Sequence, residues 1–234
     1  MLPIVRLGIS NPNSDWSYSI EHKVSKINVD DGFTAVGDAK QRNRTQFGAT
    51  KKIIKSDDVS FNLNATYRKE SWDGDKGGYN LYWIMPSGSV KLTDKLSFSY
   101  WDAFYYYDRF DGSNDYEWEA EHGLVYTVND SFSARVFLYN DWTWSNDKNK
   151  AFQQNQIRGY FPVKLDDTWS IMPYFRYYLS ERSYDDAGEL TDKNDSGLRV
   201  GTNVDYKLDA DTTLWANSTD LSSLPLVSLE SACL

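Results

Sequence analysis

Between Trp16 and Leu208, stretches in which polar and apolar residues change places at every step recur along the chain. Between Trp16 and Lys26, Trp16, Tyr18, Ile20 and Val24 share one parity; Ser17, Ser19, Glu21, Lys23 and Ser25 share the other. Successive side chains of a β-strand point to opposite faces, so a period of two means one apolar and one wet face. The pattern returns from Val59, where Phe61, Leu63, Ala65 and Tyr67 oppose Asn62, Asn64, Thr66, Arg68 and Glu70. It recurs from Tyr116, from Ile157, from Trp169 and from Leu198. The stretch from Tyr82 to Leu92 is less regular and is expected to hold a bulge. About twelve such segments are legible, most near the roughly 9–11 residues that cross a bilayer as a tilted strand and longer than an ordinary soluble strand.

The connections alternate as well. Asn11–Asp15, Lys55–Asp58, Thr93-Asp94, Asn129-Asp130, Asp166-Asp167 and Asp209-Ala210 read as short turns. Between them lie longer polar stretches: Ile27–Ala39, Ser71–Gly78, Asp108–Asp115, Ser145–Ala151 and Glu181–Lys193. A meander with tight turns at one rim and extended loops at the other has this order, and a Greek-key sandwich gives no reason for it. The fold expected is therefore all-β, an antiparallel up-and-down transmembrane barrel of about twelve strands. One domain spans residues 1–220, and residues 221–234 form an atypical tail in which the alternation lapses.

A mean hydropathy of −0.64 would ordinarily point away from a membrane, and no run of about 20 apolar residues exists for a spanning helix. A barrel escapes that argument because only every second residue meets lipid. The 17 Tyr, 11 Phe and 9 Trp suit the aromatic girdles of such a wall. A net charge of −9 argues against nucleic acid as a partner, since phosphate backbones call for clustered Lys and Arg. The single cysteine, Cys233, cannot close an internal disulfide. Met1-Leu2-Pro3 does not open a secretory signal.

Parity also assigns the charges. Arg6, Arg42, Arg44, Arg68, Arg135, Arg158, Arg176 and Arg199 fall on the polar parity, with Glu21, Glu70, Glu117, Glu119, Glu121, Asp141 and Asp205. Facing mid-bilayer lipid would cost an arginine about 2–4 kcal/mol, so a common inward face has a physical cause. The candidate lining set is Arg42, Arg44, Arg68, Glu70, Glu117, Glu119, Glu121, Arg135, Arg158, Arg176, Arg199 and Asp205. The alternative is a soluble β-barrel, such as a carbohydrate-binding module, with the same parity and the faces exchanged. That fold would have to find internal partners for many indole N–H and phenol O–H groups.

Catalytic chemistry has little support. The only histidines, His22 and His122, sit on the apolar parity, away from the groups a Ser–His–Asp arrangement needs. No His/Cys cluster suggests a metal, and no glycine-rich phosphate loop suggests a cofactor. Glu117, Glu119 and Glu121 lie about 7 Å apart along one strand face and call to mind the paired acids of a glycosidase. A row of wall carboxylates answered by neighbouring arginines explains them better.

Four stretches carry a family resemblance: Asp57-Asp58-Val59-Ser60-Phe61, Val90-Lys91-Leu92-Thr93-Asp94-Lys95-Leu96, Glu119-Ala120-Glu121-His122-Gly123-Leu124-Val125-Tyr126-Thr127-Val128-Asn129 and Gln156-Ile157-Arg158-Gly159-Tyr160-Phe161-Pro162-Val163. Over about Pro3 to Tyr206 the chain resembles the monomeric outer-membrane porin G (OmpG) family. The resemblance implies a monomeric barrel of fourteen strands in the Gram-negative outer membrane, passing ions and small hydrophilic solutes such as oligosaccharides with little specificity. It implies outer-membrane lipid, lipopolysaccharide and the barrel-assembly machinery as partners. A related possibility is the oligosaccharide-channel group that includes the oligogalacturonate porins and the cyclodextrin channel. Against the family's pattern, the chain is expected to lack the first strand and the last. Acid gating in the family rests on lumen histidines, a role that the parity of His22 and His122 does not match.

Overall fold

The computed structural model describes residues 4–11, 13–27, 40–72, 77–145, 152–184, 190–192, 197–208 and 213–219. All regular structure among them is strand: β1 (Ile4–Ser10), β2 (Trp16–Ile27), β3 (Lys40–Lys55), β4 (Val59–Trp72), β5 (Gly78–Lys91), β6 (Leu96–Arg109) and β7 (Asn114–Asn129), then β8 (Phe132–Ser145), β9 (Phe152–Tyr160), β10 (Val163–Lys164), β11 (Trp169–Tyr184), β12 (Leu190–Asp192), β13 (Leu198–Lys207) and β14 (Thr213–Thr219). They form one antiparallel sheet in chain order. β9 and β10 both lie between β8 and β11, and β12 and β13 both lie on the other side of β11. Each of those pairs is one crossing interrupted by a break, so the fourteen segments make twelve crossings.

Side-chain oxygens close the short turns. Asn11 Oδ1 accepts from the Asn13 amide at 2.9 Å and Thr93 Oγ1 from Leu96 at 3.0 Å. Asn129 Oδ1 accepts from Ser131 at 2.9 Å, and Asp166 Oδ1 from Thr168 and Trp169 at 2.7 and 2.6 Å. Asn, Asp, Ser and Thr satisfy turn amides in this way without help from a core, which suits a tight turn at the rim of a sheet.

Three boundaries differ from the sequence reading. The bulge expected within Tyr82–Leu92 is absent: β4 and β5 pair in unbroken register from Ser71↔Gly78 to Val59↔Val90. The irregularity there is Pro86, which has no N–H to give to β6, and the β5–β6 pairing skips Met85 and Pro86 without a register shift. Register shifts occur instead between Lys52 and Ile54, between Thr127 and Asn129 and between Tyr178 and Ser180. The connection expected at Asp108–Asp115 shrinks to residues 110–113, because pairing continues to Asp108↔Asn114. Part of the Glu181–Lys193 connection is strand, with Arg182, Ser183 and Tyr184 of β11 pairing to Asp192, Thr191 and Leu190 of β12. The Asp209-Ala210 turn, the tail at 221–234 and most of the remaining long connections lie outside the described residues.

Burial is inside out. Glu21, Glu70, Asp115 and Gln156 are buried, at 6%, 2%, 1% and 1% exposure. Leu7, Ile9, Ile84, Phe104, Tyr116 and Leu198 are more than half exposed. The buried acids lie on the concave face, where side chains reach past an intervening strand. Tyr160 on β9 donates to Glu121 on β7 at 2.9 Å, and Tyr174 on β11 donates to Asn217 on β14 at 3.3 Å. A soluble barrel needs the opposite arrangement, because in water the apolar face would be the one removed from solvent.

Candidate functional site: the inner wall

Directly opposed residues share a face, so the register can be followed from strand to strand. Arg68 opposes Leu81, Leu81 opposes Tyr107 and Tyr107 opposes Asp115. Glu121 opposes Tyr139, Tyr139 opposes Gln156 and Gln156 opposes Tyr178. Extended over the sheet, this places Arg42, Arg44, Arg68, Glu70, Glu117, Glu119, Glu121, Arg135, Arg158, Arg176, Arg199 and Asp205 on the inner face. The face is divided by how its charges are answered.

On β1 to β4 arginines and acids neutralise one another. Glu21 accepts from Arg6 Nη2 at 2.5 Å and from Arg44 Nη2 at 2.6 Å, and Arg42 Nη1 stands 3.6 Å from Glu70. Arg68 makes a fork on Gln46 Oε1 at 3.0 and 2.9 Å and lies over the Trp83 ring. On β6 to β8 the carboxylates are held chiefly by aromatic donors. Tyr107 donates to Glu117 at 2.7 Å, and Tyr105 and Tyr139 donate to Glu119 at 3.1 and 2.6 Å. Glu121 accepts from Trp101 and Tyr160 at 3.3 and 2.9 Å. The sequence reading, in which neighbouring arginines answer this row, applies to Glu121 alone, which has Arg158 at 3.6 Å. Parity shows that the tyrosines share the face but not that their hydroxyls reach the acids. Near the loop rim, Asp115 takes Arg109 and Ser145. On β9, β11 and β13 the arginines lie on tyrosine rings: Arg158 over Tyr139, Arg176 over Tyr174 and Arg199 over Tyr178.

The outer face is apolar with a tyrosine belt. Tyr67, Tyr82, Tyr106 and Tyr116 oppose one another on β4 to β7, with neighbouring ring centroids 5.2, 6.2 and 5.2 Å apart. The belt lies toward the end of these strands that carries the longer connections. Phenols suit the boundary between hydrocarbon and water. Both histidines are on this face. His22 Nδ1 is 2.9 Å from Thr45 Oγ1. His122 Nε2 is 3.0 Å from Asp102 Oδ2, while Trp118 donates to Asp102 Oδ1 at 3.0 Å. Asp102 is an outward acid that the parity argument did not pick out. Its signal in the sequence is an acid inside the run Phe98, Tyr100, Asp102, Phe104, Tyr106.

The comparisons agree with this geometry. The family model described as outer membrane protein G (OmpG) matches residues 7–218. The chain is 31% identical over 144 residues to outer membrane porin G of Escherichia coli (strain K12), a match covering 56% of this chain and 48% of that protein. The chain thus spans about half the length of the curated relative it matches. Among solved structures it resembles a deltaS2 mutant of the TodX monoaromatic hydrocarbon channel, with a TM-score of 0.54 and 10% identity over 92% of this chain and 76% of that one. This second likeness concerns the fold. With polar groups inward, apolar groups outward and the family model matching nearly its whole length, the chain belongs to the OmpG porin family of outer-membrane β-barrels.

Proposed function

We propose that the protein is a passive, water-filled channel for ions and small hydrophilic solutes such as oligosaccharides, and that the inner-face residues named above line its path. One observation carries the reading. The side with buried carboxylates and guanidinium groups is concave, and the side with exposed Leu, Ile, Phe and Tyr is convex. A concave polar wall holds water in a bilayer, and weak side-chain contacts let a solute exchange hydration without being trapped. Acids on β7 and arginines on β9, β11 and β13 set a transverse field, as interior charges do in a selective pore.

A second reading, hydrolysis by the Glu117–Glu119–Glu121 row, has less behind it. Each of those acids already accepts a phenol or indole hydrogen bond, which suits a wall more than a proton-transfer pair. The expected partners are lipid, lipopolysaccharide, the assembly machinery and solutes in transit, and the expected state is a monomer. Liposome swelling tests the channel reading. Vesicles with the folded chain should swell in isotonic disaccharide faster than empty vesicles, and equal rates would refute passage of sugars.

A further inference from the structure

Register creates an arrangement on the inner wall that strands normally avoid. Arg158 on β9 opposes Arg176 on β11, and Arg176 opposes Arg199 on β13. Three arginine side chains therefore start from directly opposed positions on three adjacent crossings. Like charges directly opposite one another are destabilising. Elsewhere on the wall four arginines are answered by acids, Arg6 and Arg44 by Glu21, Arg42 by Glu70 and Arg109 by Asp115, while Arg68 and Arg135 bond to Gln46 and Ser133. Among the described residues only Arg158 of this row has an acid, Glu121 at 3.6 Å, and its Nε is bound to Gln156 Oε1 at 2.7 Å.

Arg176 and Arg199 have no ion pair or side-chain hydrogen bond among the described residues, and Arg176 Nε is buried without a partner. Their guanidinium carbons lie 5.6 Å from the Tyr174 ring and 5.1 Å from the Tyr178 ring, contacts that use none of the N–H donors. Arg199 is exposed on the inner face. An arginine fork matches the paired oxygens of a phosphate or carboxylate, and opposed positions on neighbouring strands leave two such long side chains within reach of one group.

We propose that Arg176 and Arg199, with Arg158 beside them, form an oxyanion site on the inner wall for small solutes bearing a phosphate or carboxylate. The proposal rests on the channel reading, because it needs this face to be wet. Bound oxyanion relieves the repulsion along the row, whereas a neutral sugar offers the row hydrogen bonds without charge. The site therefore separates charged from uncharged solutes of similar size.

Calorimetric titration of the full chain, folded in detergent micelles, tests this with glucose 6-phosphate as probe and glucose as its neutral counterpart. Glucose 6-phosphate should bind saturably, and more weakly as salt rises; glucose should not match it. In R176Q/R199Q the affinity should fall about tenfold or more, as expected for the loss of charge-assisted hydrogen bonds. The single variant R199Q changes an exposed side chain, disturbs the fold least and should fall between. R176K/R199K keeps the charge without the forks and should recover part of the loss. Lys95→Gln, in a turn away from the row, should bind like the parent. Equal heats for the two sugars, no saturable binding, or undiminished affinity in both R199Q and R176Q/R199Q would overturn the proposal. Because binding is read in micelles, these results are separate from whether the chain conducts.

Discussion

Glu21 illustrates how a charge is kept inside this wall. It is 6% exposed and takes hydrogen bonds from Arg6 and Arg44 across two strand boundaries. Glu21→Ala should lower unfolding stability by about 1–3 kcal/mol, because it strips both guanidinium groups of their partner. Urea unfolding in lipid vesicles, read by tryptophan fluorescence, checks this; an unchanged midpoint would show that water replaces the carboxylate. On the outer face, Asp102 and His122 satisfy each other where lipid offers nothing. His122→Ala and Asp102→Ala should each destabilise by about 1–3 kcal/mol, and the double variant by less than their sum. Strict additivity would mean that the two side chains do not depend on each other. Arg199→Glu reverses an inner charge that has no ion pair among the described residues and should move the reversal potential in a salt gradient toward cation preference. An unshifted potential would remove Arg199 from the ion path.

At the scale of strands and turns, alternation was a sound guide to the middle of each element and a poor one to its ends. The parity of Val59–Glu70 corresponds to β4, because a two-sided wall leaves a two-residue period wherever one side meets lipid and the other water. Asp108–Asp115 looked like a long loop because Asp, Gly, Ser and Asn cluster there. β6 and β7 nevertheless pair through it to a tight turn at residues 110–113, with Gly112 at φ +87°. Polar residues at that end stand above the tyrosine belt, so composition there reports water rather than a loop. Bulges at Ile53, Val128 and Leu179 are not legible in the sequence, because a single extra residue shifts parity without any change of residue type. Gly123 marks a close approach of β7 to β8. A Cβ there would lie 2.0 Å from Val136 O and 2.6 Å from Phe137 Cα. Gly123→Ala should therefore destabilise by about 1–3 kcal/mol, and Gly88, where an added Cβ would lie 2.2 Å from Ser60 O, offers an independent case on β4 and β5. Wild-type unfolding midpoints for both alanine variants would show that the strands separate freely at these points.

For the whole molecule, burial decides which of two mirror readings holds. Parity alone is the same for a soluble barrel and a membrane barrel. Glu70, Asp115 and Gln156 buried while Ile9, Phe104 and Leu198 are exposed is compatible only with an apolar surrounding. The inner wall was legible as a set of charges, since residue type and parity both survive in the sequence. Its partition was not: which arginine meets an acid depends on register between strands up to two crossings apart, as with Arg158 and Glu121. A purified, detergent-folded chain added to a planar lipid bilayer at neutral pH should produce discrete, ohmic current steps that disaccharide partly blocks. Folded chain that inserts into the bilayer, verified by protease protection of its strands, yet carries no current would contradict the claim that the concave polar face encloses a water-filled path.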